Sequence, residues 1–274
     1  MPPTTGEIER DLIFDVGASN GDDSAYYLHK GFRVVAVEAS PLMHATLRER
    51  FGRQIEDGRL ILVSAAIASE EGEAPFWICD DEPGRSSFDR VIASYHGSRH
   101  HSVVVPTCPF SSLLERFGTP FYCKIDIEGC DRLCVEQMSR RARPSYLSLE
   151  LPTIGSAPAE AETAWIMDRL EDLGYDRFKI ISQVTYRQAA ALLAATKMRM
   201  PQKLSLRITL LEQAVRKYRR DEQWVFGDES SGPFGEETRG KWLSPQKARS
   251  LIAIIRRNRD LSDWYDVHAA AGAA

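Results

Sequence analysis

Phe14 to Asp22 reads F-D-V-G-A-S-N-G-D, and the architecture turns on this stretch. Asp11 to Val16 (D-L-I-F-D-V) is a short apolar run stopped by Gly17, the pattern of a strand buried in a parallel sheet. Gly21 to Lys30 (G-D-D-S-A-Y-Y-L-H-K) predicts a helix, because its acidic first turn and its Lys30-Gly31 end match the helix dipole and a glycine stop. A turn of small residues between the first strand and first helix of an open α/β sheet lies where such folds bind ligands, outside the carboxyl ends of the strands. Gly17 and Gly21 allow unusual dihedrals and close approach of a ligand. The dinucleotide fingerprint G-x-G-x-x-G is not met: Ser19 takes the second glycine position, and Asp22-Asp23 put negative charge where a pyrophosphate needs the helix N-terminus free. The turn therefore suits a cationic, phosphate-free ligand, and S-adenosylmethionine is one. Tight packing alone is the plainer explanation of such a turn.

Arg33 to Glu38 (R-V-V-A-V-E) predicts a second buried strand ending on Glu38, where an acidic residue hydrogen-bonds the ribose of an adenosine ligand. A surface glutamate at a strand end is the bland alternative. Ser40-Pro41 is an N-cap followed by proline, opening a helix through Phe51. Leu60 to Ile67 and Ala74 to Cys79 predict two strands joined as a hairpin by the turn-rich S-E-E-G-E, and Ser86 to His101 an exposed loop. Helices follow near Ser111 to Phe117 and Asp131 to Arg140, with strands at Phe121 to Ile127 and Tyr146 to Leu151. Ala159 to Leu173 is an amphipathic helix with Ala164, Ile166, Met167 and Leu170 inward, and Phe178 to Ser182 is the last clear strand. This alternation predicts a doubly wound α/β sheet.

K-I-D-I-E-G at 124 to 129 carries the chemistry, because strand alternation places Lys124, Asp126 and Glu128 on one side and Ile125 and Ile127 on the other. Ionisable residues at the carboxyl end of a central strand are costly unless paired or used. Asp126 would orient a nucleophilic hydroxyl or take its proton, and Lys124 would pair with Asp126 or polarise a substrate oxygen. Glu150, in Y-L-S-L-E-L on the next strand, joins this catalytic group. A structural lysine-carboxylate network is the competing explanation.

Taken in order, D-V-G-A-S-N-G-D, G-F-R-V-V-A-V-E-A-S-P, S-A-A-I-A-S-E-E-G-E-A-P-F-W and K-I-D-I-E-G-C-D resemble the FkbM family of S-adenosylmethionine-dependent methyltransferases over about residues 11 to 184. The resemblance implies a Rossmann-like class I methyltransferase sheet, mostly parallel with an antiparallel last strand, and O-methylation of a sugar or other small-molecule hydroxyl. By position it implies Asp15, Gly17, Ser19, Asn20 and Gly21 in the methionine-side loop, Glu38 at the ribose and Ala66 beside the adenine. It places Lys124, Asp126 and Glu128 at the reaction site. No metal site is assigned; an Asp126/Glu128 divalent-ion site, by analogy with metal-dependent O-methyltransferases, is the alternative.

The rest of the chain bounds the answer. With 274 residues, 43% hydrophobic and 27% charged, it is an ordinary globular sequence, and its net charge of −4 argues against whole-protein nucleic-acid binding. Five cysteines without a C-x-x-C pair fit reduced thiols and core packing, and His96, His100 and His101 lack zinc spacing. No apolar run approaches a membrane span and the first ten residues have no signal-peptide core, so the expected location is the cytoplasm. Residues 186 to 220 hold nine Lys/Arg against Glu212, a local excess of +8. They read as a basic helical insertion (185–222), a lid or a surface for an anionic partner, between a methyltransferase core (1–184) and a C-terminal extension packing on it (223–274). The tail carries a G-D-E-S-S-G-P-F-G-E-E loop at 227 to 237 and a helix at Pro245 to Arg257. Two rival functions are a nicotinamide-dependent oxidoreductase and a non-catalytic module docking through the basic segment.

Overall fold

The computed structural model describes residues 6–152, 158–183, 186, 188–189, 220–221, 224–227, 230–257 and 264–272. The strands are β1 (Ile8–Val16), β2 (Arg33–Glu38), β3 (Leu60–Ser64), β4 (Ala66–Ala68), β5 (Gly72–Cys79), β6 (His100–Pro109), β7 (Thr119–Ile125), β8 (Tyr146–Glu150), β9 (Tyr175–Ser182), β10 (Arg220–Asp221), β11 (Trp224–Val225) and β12 (Tyr265–Ala271). The helices are α1 (Asp22–His29), α2 (Pro41–Arg50), α3 (Gly52–Glu56), α4 (Arg90–Ala93), α5 (Phe110–Phe117), α6 (Asp131–Glu136), α7 (Ala159–Asp172) and α8 (Pro245–Arg257).

The main sheet has seven strands in the order β3-β2-β1-β7-β8-β12-β9. All neighbours are parallel except β12, which runs antiparallel to both β8 and β9. Strand alternation divides the buried residues into two layers. Phe14, Cys123, Leu147, Phe178, Val267 and Ala269 belong to one core cluster. Ile13, Tyr27, Ala36, Leu47, Tyr122 and Phe234 belong to the other.

Five sequence expectations are corrected. The 60–67 run breaks at Ala65: β3 stays in the main sheet, while β4 joins a separate three-stranded sheet in the order β4-β6-β5. No 60–67/74–79 hairpin forms, because β5 pairs antiparallel with β6 instead. β6 itself starts inside the expected loop; its two leading histidines and its Pro106 and Pro109 hide the strand pattern, since proline argues against a central strand. β7 stops at Ile125, so strand alternation does not reach Asp126 and Glu128, and Glu128 adopts φ 49°. On α7 it is Thr163 that is buried, while Ala164 is exposed.

β12 follows β8 in space but comes from the C-terminal stretch, so Phe178–Ser182 is not the last strand of the chain. Y-D-V-H-A-A-A has weak intrinsic strand preference, yet Val267, Ala269 and Ala270 are fully buried because the strand is paired on both edges, by β8 and β9. α8 has the expected bounds. Most of the basic 186–220 segment lies outside the described residues.

Candidate active site

β1, β2 and β7 end together, and their following turns form the site. Gly17 (φ 82°) donates its N–H to Val37 O, and a Cβ at this position would lie 1.8 Å from Asp126 O. Gly21 (φ 83°) is the N-cap of α1, packed against Phe51 and Leu47. Both glycines admit close approach of the chain's own atoms, and Gly17 also lines the cleft. Ser19 has φ 45° and lines the same cleft as Glu128, so two strained non-glycine residues face it.

The cleft is open to solvent, with about 550 Å³ of space counting its mouth. Gly17, Ser19, Glu38, Ala66, Asp126 and Glu128 line it together with apolar Val37, Ile67, Phe76 and Phe88. Among the described lining residues there is no Lys, Arg or His. Glu38 is 8% exposed, and its carboxylate accepts N–H bonds from Ser19 (2.9 Å) and Ser40 (2.7 Å). Burial pushes this carboxyl up to about 7, against the pull of those two amides.

A second cavity of about 700 Å³ shares Asp126 and Glu128 and adds Glu82, Arg85, Asp131, Glu150, Gln183 and Trp264. An oxygen from each of Asp126, Glu128 and Glu150 lies within 4.8 Å of the others, which provides the third carboxylate that Asp126 and Glu128 lack by themselves. Arg85 pairs with Glu82 at 3.0 Å. Burial and the neighbouring Asp126 raise Glu128 to about 8, burial and Glu128 hold Glu150 well above the ordinary carboxylate range, and burial raises Asp131 to about 7.

The remaining expected residues stand behind the cleft. Asn20 Oδ1 accepts the Asp22 N–H at 2.9 Å, at the start of α1. Asp15 is fully buried and accepts the Ser24 hydroxyl at 2.6 Å; burial raises it to about 6. Lys124, 4% exposed, lines neither cavity. Its Nζ donates to Gly17 O at 3.1 Å and sits 3.3 Å from Asp23, 3.5 Å from Asp126 and 3.6 Å from Asp15. Burial would lower Lys124, but Asp126, Asp15 and Asp23 override it and hold the ammonium well above its usual value.

Sequence reading missed Asp131, Gln183, Trp264 and the P-G-R-S-S-F wall at 83–88, which looked like plain loop. It also missed Asp266, 3% exposed, whose β12 position is opposite Glu150. The cysteines are free, and His101 pairs with Asp80 at 2.9 Å.

A mostly parallel seven-stranded sheet with one antiparallel strand near its edge, and a cleft at its carboxyl end, have the arrangement of the class I methyltransferase fold. The family model described as "Methyltransferase FkbM domain" matches residues 15–177, more than half of the chain, and the chain belongs to this FkbM methyltransferase family. Similar solved structures include a methyltransferase FkbM from Methylobacillus flagellatus, at 18% identity and TM-score 0.41, with 64% of this chain and 40% of that one covered. Others are a precorrin-6y C5,15-methyltransferase from Geobacter metallireducens (11%, TM-score 0.38, 98% and 84% covered) and an S-adenosylmethionine-dependent methyltransferase from Thiobacillus denitrificans in complex with S-adenosyl-L-homocysteine (9%, TM-score 0.32, 96% and 86% covered). The chain thus spans about 40% of the first of these. No curated protein is significantly similar in sequence. No helix among the described residues is long and apolar enough to cross a membrane.

Proposed function

We propose that the protein methylates a hydroxyl of a sugar or similar polyhydroxylated small molecule, using S-adenosylmethionine. The observation that carries this reading is a cleft with carboxylates and apolar walls but no described cation, which shares Asp126 and Glu128 with a second polar cavity. Such a donor set fits a cationic, phosphate-free adenosine ligand and disfavours the pyrophosphate of a nicotinamide cofactor. When bound, S-adenosylmethionine supplies a methyl group already activated by its sulfonium. Glu38 accepts hydrogen bonds from the ribose hydroxyls, and Phe76, Phe88 and Ile67 exclude water. The acceptor hydroxyl enters from the second cavity, where Glu150 and Glu128 orient it. With the activated methyl donor bound, Asp126 would take the proton of the acceptor hydroxyl as its oxygen is methylated. Lys124 acts behind Asp126, balancing its charge, rather than on the substrate.

The test is calorimetric titration with S-adenosylhomocysteine followed by transfer of labelled methyl to a panel of sugars and polyols. Because a carboxylate trio of this spacing also suits a divalent ion, transfer is measured with and without a chelator. Binding is expected on the order of micromolar, weakened about tenfold in Glu38→Ala. Asp126→Asn is expected to bind normally and to lose about 10²- to 10⁴-fold in turnover. Near-normal turnover in Asp126→Asn removes its role, and absence of S-adenosylhomocysteine binding removes the reading.

A further inference from the structure

Residues 230–237, which the cofactor motifs leave unexplained, reach the back of the active site. Asp23, in the first turn of α1, is 3% exposed. It accepts the Ser230 hydroxyl at 2.5 Å and the Ser231 N–H at 3.0 and 3.1 Å. On its other side stands Lys124 Nζ, 3.3 Å away, which in turn donates to Gly17 O and faces Asp126. Gly17 and Asp126 both line the cleft.

Ser230 is itself held. It is 2% exposed, its Oγ accepts the Gly232 N–H at 3.1 Å, and its carbonyl accepts the Tyr186 hydroxyl at 2.7 Å. Phe234, four residues on, stacks on Tyr122 with ring centroids 4.4 Å apart. A loop needed only to cover α1 would not require a buried carboxylate matched by a hydroxyl, an amide and an ammonium. Charged groups taken from water are tolerated where every partner is in place, and they then fix one geometry.

Resting on the methyltransferase reading above, we propose that Ser230 is a positioning residue of the active site. It acts through Asp23 and Lys124 to hold the Gly17 carbonyl and the Asp126 carboxylate in register with the cleft. Coupling runs through a continuous hydrogen-bond and ion-pair chain, the kind of path that transmits modest energies between sites.

The experiment compares Ser230→Ala, Ser230→Thr and Ser231→Ala in the full chain, by amide NMR of the free protein and by titration with S-adenosylhomocysteine. Ser231→Ala keeps its backbone N–H and serves as the control. In Ser230→Ala the Gly17 and Asp126 amide signals are expected to shift and affinity to fall about three- to tenfold. Ser230→Thr, which keeps the hydroxyl, is expected to restore both, and Ser231→Ala to change neither. Unmoved Gly17 and Asp126 signals in Ser230→Ala with undiminished affinity overturn the proposal, as does a shift of equal size in Ser231→Ala. Failure of the unmodified protein to bind S-adenosylhomocysteine is a separate result, which strikes the cofactor reading and not the coupling seen in the signals.

Discussion

Gly17 shows how one residue type is dictated by its neighbours. Its φ of 82° costs a side-chain-bearing residue on the order of 1–3 kcal/mol, and the space a Cβ would take is already filled by Asp126 O. Gly17→Ala is therefore expected to displace the 126–128 loop and abolish measurable S-adenosylhomocysteine binding. Gly52→Ala, where a Cβ meets nothing within 4 Å, is expected to leave binding intact and stability unchanged or higher by about 0.4–1 kcal/mol. Equal binding by the two variants in calorimetry would show that the turn tolerates a side chain. Gly17, Ser19 and Glu38 were legible in sequence because turn chemistry and a strand-end acid are local signals. Asp266 was not, because its approach to Asp126 follows from packing between elements distant in sequence, and Asp131 was read only as the start of a helix.

Among the elements, β12 carries the least local signal and occupies the most constrained place. Ala269 lies between Leu147 on β8 and Phe178 on β9, with 1% exposure. Ala269→Leu is expected to overpack this seam and cost about 1–3 kcal/mol in urea unfolding. Ala164→Leu, on the exposed side of α7, should stay within about 0.5 kcal/mol. Equal midpoints for both would mean that 265–271 behaves as a loosely attached tail. The expected helices α1, α2, α7 and α8 emerged with nearly their predicted bounds because caps, prolines and apolar spacing are written in neighbouring residues. β6 was obscured by its histidines and prolines, and β12 by its alanines.

Across the molecule, five buried carboxyls around the site share one direction of shift. Asp15 stands near 6, Glu38 and Asp131 near 7, and Glu128 and Asp266 near 8, each raised chiefly by burial. Their ordinary values are 3.8 for Asp and 4.5 for Glu. Between those values and the raised ones the folded protein keeps protons that the unfolded chain releases, so stability falls as pH rises through that window. The ligand-free protein is expected to melt at a higher temperature at pH 6 than at pH 8, and a thermal scan showing the reverse would contradict these protonation states. Alternating strands and helices, the glycine turn after β1, Glu38 and the K-I-D-I-E-G element are all fixed by residues adjacent in the chain, where dihedral preference and periodicity act. Tertiary structure alone placed β12 between β8 and β9, turned Lys124 inward and set Ser230 against Asp23. These contacts join residues far apart in sequence, and they form only when burying the two faces of the sheet outweighs the entropy of bringing distant segments together.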